Sequence, residues 1–344
     1  MASSEHTRRT NRLRGTPVAS WGMDLEQFCS ASRVVIVAGK GGVGKTTVTA
    51  ALATAATRTG MSVLIVEVEG KSGLAAGFGR PALTYEEQEL RPGLRARTLT
   101  PDEALLEYLE DHGMRRISRR LTASGALDVV STAVPGMKDI LVLGKVKALE
   151  RGNAADLIVL DAPAAGHAIS FLLSARGLLD AVRVGPIRSQ AADVVELLTD
   201  PARCQVVLVT VPEETPVTEL VETAFAIEDR AGVALGPVVV NSCVRSLPVV
   251  AGAGLTSARV RATGDAAGIA LAPDQAFALV TAAEFRDDWH MRQENQCARL
   301  AELLPLPQIR LPFLFTADIG PSEVDVLADE FAAGVKLIDL PNVS

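Results

Sequence analysis

The chain has 344 residues, 48% of them hydrophobic and 22% charged, with a formal net charge of −7. This is the composition of a soluble globular protein, long enough for one large domain or two ordinary ones. The acidic surplus argues against nucleic acid as the main partner, because phosphate-backbone binding leans on a basic surface. Aromatic residues make up only 4%, so the core must be built mostly from Ala, Val, Leu and Ile. Cys29, Cys204, Cys243 and Cys297 form no C-x-x-C pair and show no zinc-ligand spacing; they are expected to be reduced, mostly buried thiols in a cytoplasmic protein. No apolar run approaches the ~18 residues of a membrane span, so no integral membrane segment is expected.

In chain order, the N-terminal "MASSEHTRRTNRLRGTPVAS" carries Arg8, Arg9, Arg12 and Arg14 with no apolar segment behind them. That is not the pattern of a secretion signal, and residues 1–31 read as a flexible tail. Short β-branched runs then alternate with longer Ala/Leu-rich segments. The strand candidates are "RVVIVAG" from Arg33, "SVLIVEV" from Ser62, "DLIVLD" from Asp156, "QVVLVTV" from Gln205, "GPVVVN" from Gly236 and, more weakly, "QIRLPFL" from Gln308. Most are continuously apolar, which suits strands covered on both faces. The fold class is therefore α/β, with a doubly wound, mostly parallel sheet spanning residues 32–340. Between Arg80 and Asn153 the pattern is mostly helical: Thr100 reads as an N-cap with Pro101 at the first helical position. This segment and residues 168–200 suggest a helical subdomain inserted near 100–153 and 168–200; long crossover helices are the alternative.

The first strand runs into Gly39-Lys40-Gly41-Gly42-Val43-Gly44-Lys45-Thr46, which satisfies G-x-x-x-x-G-K-[ST] between a strand and a helix. In such a P-loop the glycines Gly41, Gly42 and Gly44, with Val43, turn backbone N–H groups onto phosphate oxygens. The helix beginning near Lys45 points its positive end at the same anion. Lys45 is expected to bridge the β- and γ-phosphates of ATP, Thr46 to hold Mg²⁺ through its hydroxyl, and Thr47 to reach the α-phosphate. Lys40 is a second cation, five residues early. Its useful geometry is across a dimer interface, where a cation supplied in trans is worth ~10³–10⁵ in phosphoryl-transfer rate.

K-G-G-V-G-K-T-T resembles the deviant Walker A motif of the P-loop class that includes septum-site, partition and arsenite-pump ATPases. "LIVEVEGKSGLAAGF" (64–78) resembles the first switch of the arsenite-pump and tail-anchored-protein-targeting ATPases, the ArsA-like or anion-transporting type. The family's water-activating aspartate falls on Glu69, and its proline and histidine on Gly70 and Ser72. "LIVLDAPAAGHAISFLL" (157–173) resembles the second switch, with Asp161 as the Walker B-type carboxylate and Mg²⁺ partner, and Gly166 as a backbone sensor of the γ-phosphate. Asn241, at the end of "VVVN", resembles the adenine-contacting amide, and Pro312 and Phe313 the loop that closes over the base.

The resemblance implies a dimeric switch ATPase that couples nucleotide-driven closure to a partner or protein client, with Lys40, Glu69 and Asp161 catalytic. Glu69 is one methylene longer than the family residue, so a slow site or a heterodimer with a sister ATPase stands beside the homodimer. A nucleotide-gated adaptor with negligible hydrolysis is the alternative.

Overall fold

The protein is seen in a computed structural model that describes residues 23–68, 73–111, 113–124, 136–163, 165–247 and 254–338. Among these, the strands β1 (Val34–Gly39), β2 (Val63–Val68), β3 (Gln88–Arg91), β4 (Leu94–Leu99), β5 (Leu157–Asp161), β6 (Cys204–Thr210), β7 (Ala234–Cys243) and β8 (Gln308–Pro312) form one sheet in the order β3-β4-β2-β5-β1-β6-β7-β8. Every pairing is parallel except β3 with β4.

The continuous apolar runs have a direct explanation in this architecture. Val34, Ile36 and Ala38 of β1 join one buried cluster, while Val35 and Val37 join another. Leu64, Val66 and Val68 of β2 split from Val63 and Ile65 in the same way. Side chains alternate across a strand, so a strand with helices on both faces must be apolar at every position.

One face is covered by α1 (Leu25–Ser30), α2 (Lys45–Thr57), α3 (Gly73–Gly77) and the C-terminal helix Pro321–Lys336. On α2, Ala50, Ala51, Ala53, Ala55 and Ala56 are all buried, and their small side chains let the helix lie close to the sheet. The insertion between β4 and β5 holds α4 (Pro101–Asp111), α5 (Arg115–Ser124) and α6 (Met137–Arg151), and that between β5 and β6 holds α7 (Ala165–Ala181) and α8 (Pro186–Thr199). Of these, α6, α7 and α8 cover the second face together with α9 (Glu214–Ala226). The Thr100 hydroxyl accepts from the Glu103 backbone N–H at 3.3 Å, capping α4. Between β7 and β8, α10 (Ser257–Ala266) leads into the 31-residue α11 (Pro273–Leu303), and α12 (Pro321–Lys336) follows β8. Among the described residues, no helix is long and apolar enough to cross a membrane.

Two expectations are corrected. Residues 25–30 do not belong to a flexible tail: Leu25, Phe28 and Cys29 are buried, and the Phe28 ring meets Phe331 of α12 edge-on at 5.7 Å. Residues 1–22 lie outside the described residues. The segment 88–99, expected to be mostly helical, is the β3–β4 hairpin, turned at Gly93 with φ 78°. Arg95 and Arg97 hide β4 from a hydropathy reading. Arg97 is nonetheless buried, its guanidinium 4.3 Å from the centre of the Tyr85 ring and 3.9 Å from Glu87.

Candidate nucleotide-binding site

The sheet order puts β1 between β5 and β6, while the chain leaving β1 continues to β2, two places away. A crevice opens at such a switch point, at the C-terminal ends of the strands. The phosphate loop fills it. Gly42 and Gly44 have φ of 83° and 87°, a region that side chains rarely adopt, and the helix α2 begins directly afterwards at Lys45. The Lys45 ammonium, largely buried, donates to the Lys40 carbonyl at 2.9 Å. Thr47 sits half-buried in the first turn of α2.

Asp161 ends β5, in register with Val37 of β1 and Glu67 of β2. It is only 4% exposed and accepts the Thr46 hydroxyl at 2.7 Å. A hydroxyl and a carboxylate converging beside a phosphate loop are the hard oxygen donors that magnesium prefers, so the residues present fit that ion. Glu67 is buried beside them and accepts from the Thr98 hydroxyl at 3.0 Å.

Asn241 reaches the loop from β7. Its amide donates to the Val43 carbonyl at 3.0 Å, so the group expected to read an adenine edge is engaged here with the loop itself. The contact is close: a Cβ on Gly44 would lie 2.3 Å from the Asn241 amide nitrogen. An open pocket of about 380 Å³ lies alongside, lined by Gly41, Gly42, Val43, Glu213, Trp289 and Phe313 among others. Phe313 follows Pro312 at the end of β8, and its N–H donates to the Cys243 carbonyl at 2.8 Å. Its ring meets Trp289 at 5.5 Å and Phe315 at 4.9 Å, both edge-on.

Trp289 and Glu213 were not among the residues expected from the sequence. The signal for Trp289 was faint: one tryptophan in the otherwise polar "FRDDWHMRQENQ" of α11. The same helix holds the end of β7. His290 Nδ1 lies 2.8 Å from the Val244 carbonyl, while Gln293 accepts from the Val244 N–H at 2.6 Å and donates to the Ser242 carbonyl at 3.2 Å. The Cys243 thiol donates to the Val240 carbonyl at 3.4 Å, and the neighbouring Cys297 of α11 together with burial pushes it far above its ordinary range. The four cysteines are all free thiols, and among the described residues no group of His, Cys, Asp and Glu could hold a metal by itself.

The Lys40 side chain forms an ion pair with Glu219 of α9 in the same chain. Gly166 lies in the first turn of α7. Glu69, Gly70 and Ser72 lie outside the described residues, between Val68 at the end of β2 and Gly73, where a Cβ would sit 3.9 Å from the Thr46 methyl.

Comparison with known proteins agrees with the geometry. Residues 32–183 match the family model of the anion-transporting ATPases. The chain is 33% identical over 303 residues to the ATPase BagA of Mycobacterium tuberculosis, covering 82% of this chain and 88% of that protein. It is 29% identical over 151 residues to the ATPase get3 of Schizosaccharomyces japonicus, covering 43% of this chain and 45% of that one. An intact phosphate loop on a parallel sheet, and likeness to ATPases along most of its length, place this chain in the anion-transporting ATPase family as a P-loop enzyme that hydrolyses ATP.

Proposed function

We propose that the protein is a dimeric nucleotide switch, in which two chains close around ATP and each supplies Lys40 to the other's phosphates. The observation that carries this reading is the placement of Lys40: it belongs to the phosphate loop, yet Lys45 alone occupies the lysine position at the start of α2, and the Lys40 side chain leans away towards α9. Within one chain the loop has a cation to spare.

In this reading the N–H groups of residues 41–45 bind phosphate oxygens, and Lys45 exchanges the Lys40 carbonyl for them. Thr46 and Asp161 would hold Mg²⁺, which supplies charge neutralisation at the β- and γ-phosphates. Glu69 orients the attacking water. Trp289 and Phe313 offer apolar faces to the base, and Asn241 keeps the loop in shape beneath it. Opening and closing moves the helices inserted between β4 and β6 against a protein client.

The test is a comparison of two variants. Lys45→Ala abolishes ATP binding, whereas Lys40→Ala binds ATP and loses turnover. Unchanged phosphate release by Lys40→Ala overturns the trans role. Glu69, standing where relatives of this type place the shorter aspartate, favours a second assembly in which a sister ATPase completes the dimer. A fully active homodimer, seen by light scattering of the purified chain with ATP, rejects it.

A further inference from the structure

We propose that Glu219 is a positioning residue that keeps Lys40 within its own chain and so withholds it from a second chain until ATP-driven closure. The inference rests on the trans-lysine reading and adds a control to it. Lys40 has one ammonium. While that group is bound to Glu219 it cannot also lie on another chain's phosphates.

The two ends of the contact are differently anchored. The backbone of Lys40 is held by Lys45, whose ammonium binds its carbonyl at 2.9 Å. Glu219 stands on α9, whose Val217, Leu220 and Ala224 are buried in the core, and the Thr223 hydroxyl donates to the Glu219 carbonyl at 2.7 Å. In the nucleotide-free chain both backbones are held, and ATP, by drawing Lys45 off the Lys40 carbonyl, loosens the Lys40 end of the contact.

The pair is also suited to exchange. The Lys40 side chain is 44% exposed and that of Glu219 30% exposed. Ion pairs so open to water are weak and reversible. Arg203 and Glu150, at 18% and 7%, show how a more permanent pair is built in this chain. A carboxylate carries one negative charge, and a triphosphate carries several. The triphosphate of a second chain therefore outcompetes Glu219, and a partner with an empty loop does not. Glu213, Glu214 and Glu222 lie on or beside the same helix. Each adds to the acidic field that favours Lys40 in its resting position.

The experiment measures phosphate release per chain across a range of protein concentrations at saturating ATP and Mg²⁺, for the wild type, Glu219→Gln and Glu219→Asp. The expected result is a half-maximum reached at about 1.5- to 5-fold lower protein concentration in Glu219→Gln, with a maximum not below that of the wild type. Glu219→Asp lies between the two. Curves that rise with concentration but superimpose overturn the latch alone. A maximum reduced in Glu219→Gln also overturns it, since Glu219 then supports the closed state. Activity per chain independent of concentration in all three proteins overturns the latch, and overturns the dimer reading as well if light scattering with ATP shows a monomer. A second measurement needs no dimer: acylation of Lys40 in nucleotide-free protein, read by peptide mass, runs faster in Glu219→Gln, and an equal rate overturns the proposal.

Discussion

The Thr46 hydroxyl donates to the Asp161 carboxylate at 2.7 Å, joining the first turn of α2 to the end of β5 across 115 residues of sequence. Both groups are proposed magnesium partners, so each has a distinct expected defect. Thr46→Ala removes one donor and raises the magnesium concentration needed for half-maximal phosphate release. Asp161→Asn removes the charge and lowers turnover by about 10- to 100-fold, as expected for losing a charged hydrogen-bond partner at the reacting phosphates. A magnesium titration of both variants checks this, and a Thr46→Ala curve identical to that of the wild type refutes the assignment.

Asn241 and the Val43 carbonyl form a second long-range tie, 3.0 Å long. Asn241→Ala leaves a buried carbonyl unsatisfied, at a cost of about 1–3 kcal/mol. The melting temperature is expected to fall by several degrees, and the added stability conferred by ATP shrinks because the loop loses its brace. Thermal melts with and without ATP decide the matter; a normal ATP-induced shift means the loop holds itself.

Trp289 and Phe313 are predicted to stack on the base. Trp289→Ala should weaken ATP binding by about 10- to 100-fold, the range of one lost aromatic stack, while inhibition by inorganic triphosphate stays as in the wild type. Equal losses for both ligands would place Trp289 in a purely structural role.

Phe28 anchors α1. It is 2% exposed and packs edge-on against Phe331. Phe28→Ala is expected to destabilise the fold by about 3–5 kcal/mol, measured by urea unfolding. A loss below about 1 kcal/mol would restore residues 25–30 to the tail that the sequence suggested.

Asp156 links the starts of β2 and β5. Hydrogen bonds from the Ser62 hydroxyl at 2.7 Å and the Ser62 N–H at 2.8 Å hold its carboxyl below the ordinary value of 3.8. A carboxylate whose pKa is depressed on folding contributes stability that is present above the unfolded value and lost as the pH falls through the folded one. Asp156→Asn is therefore less stable than the wild type at pH 7, and the gap closes below about pH 3.8. A gap that does not narrow as the pH falls below 3.8 would assign the effect to packing.

Much of this protein is legible locally. The phosphate loop, the apolar strands β1, β2, β5, β6 and β7, and the capped start of α4 are each specified within about a dozen neighbouring residues, because backbone propensity and the period of burial act over that distance. The β3–β4 hairpin was not legible. Its arginines look exposed until Tyr85 and Glu87 are seen to cover Arg97. Nor was α1, whose burial depends on Phe331, some 300 residues away.

The sequence by itself determined the class of chemistry. A phosphate loop needs its glycines, lysine and threonine in consecutive order, since one turn of backbone must wrap one phosphate. Only the tertiary structure decided what else surrounds that loop: Asn241 on Val43, Trp289 beside Phe313, and Glu219 on Lys40. These partners come from different strands and helices, and a side chain's partner across the fold is set by how the layers pack, which no local pattern encodes.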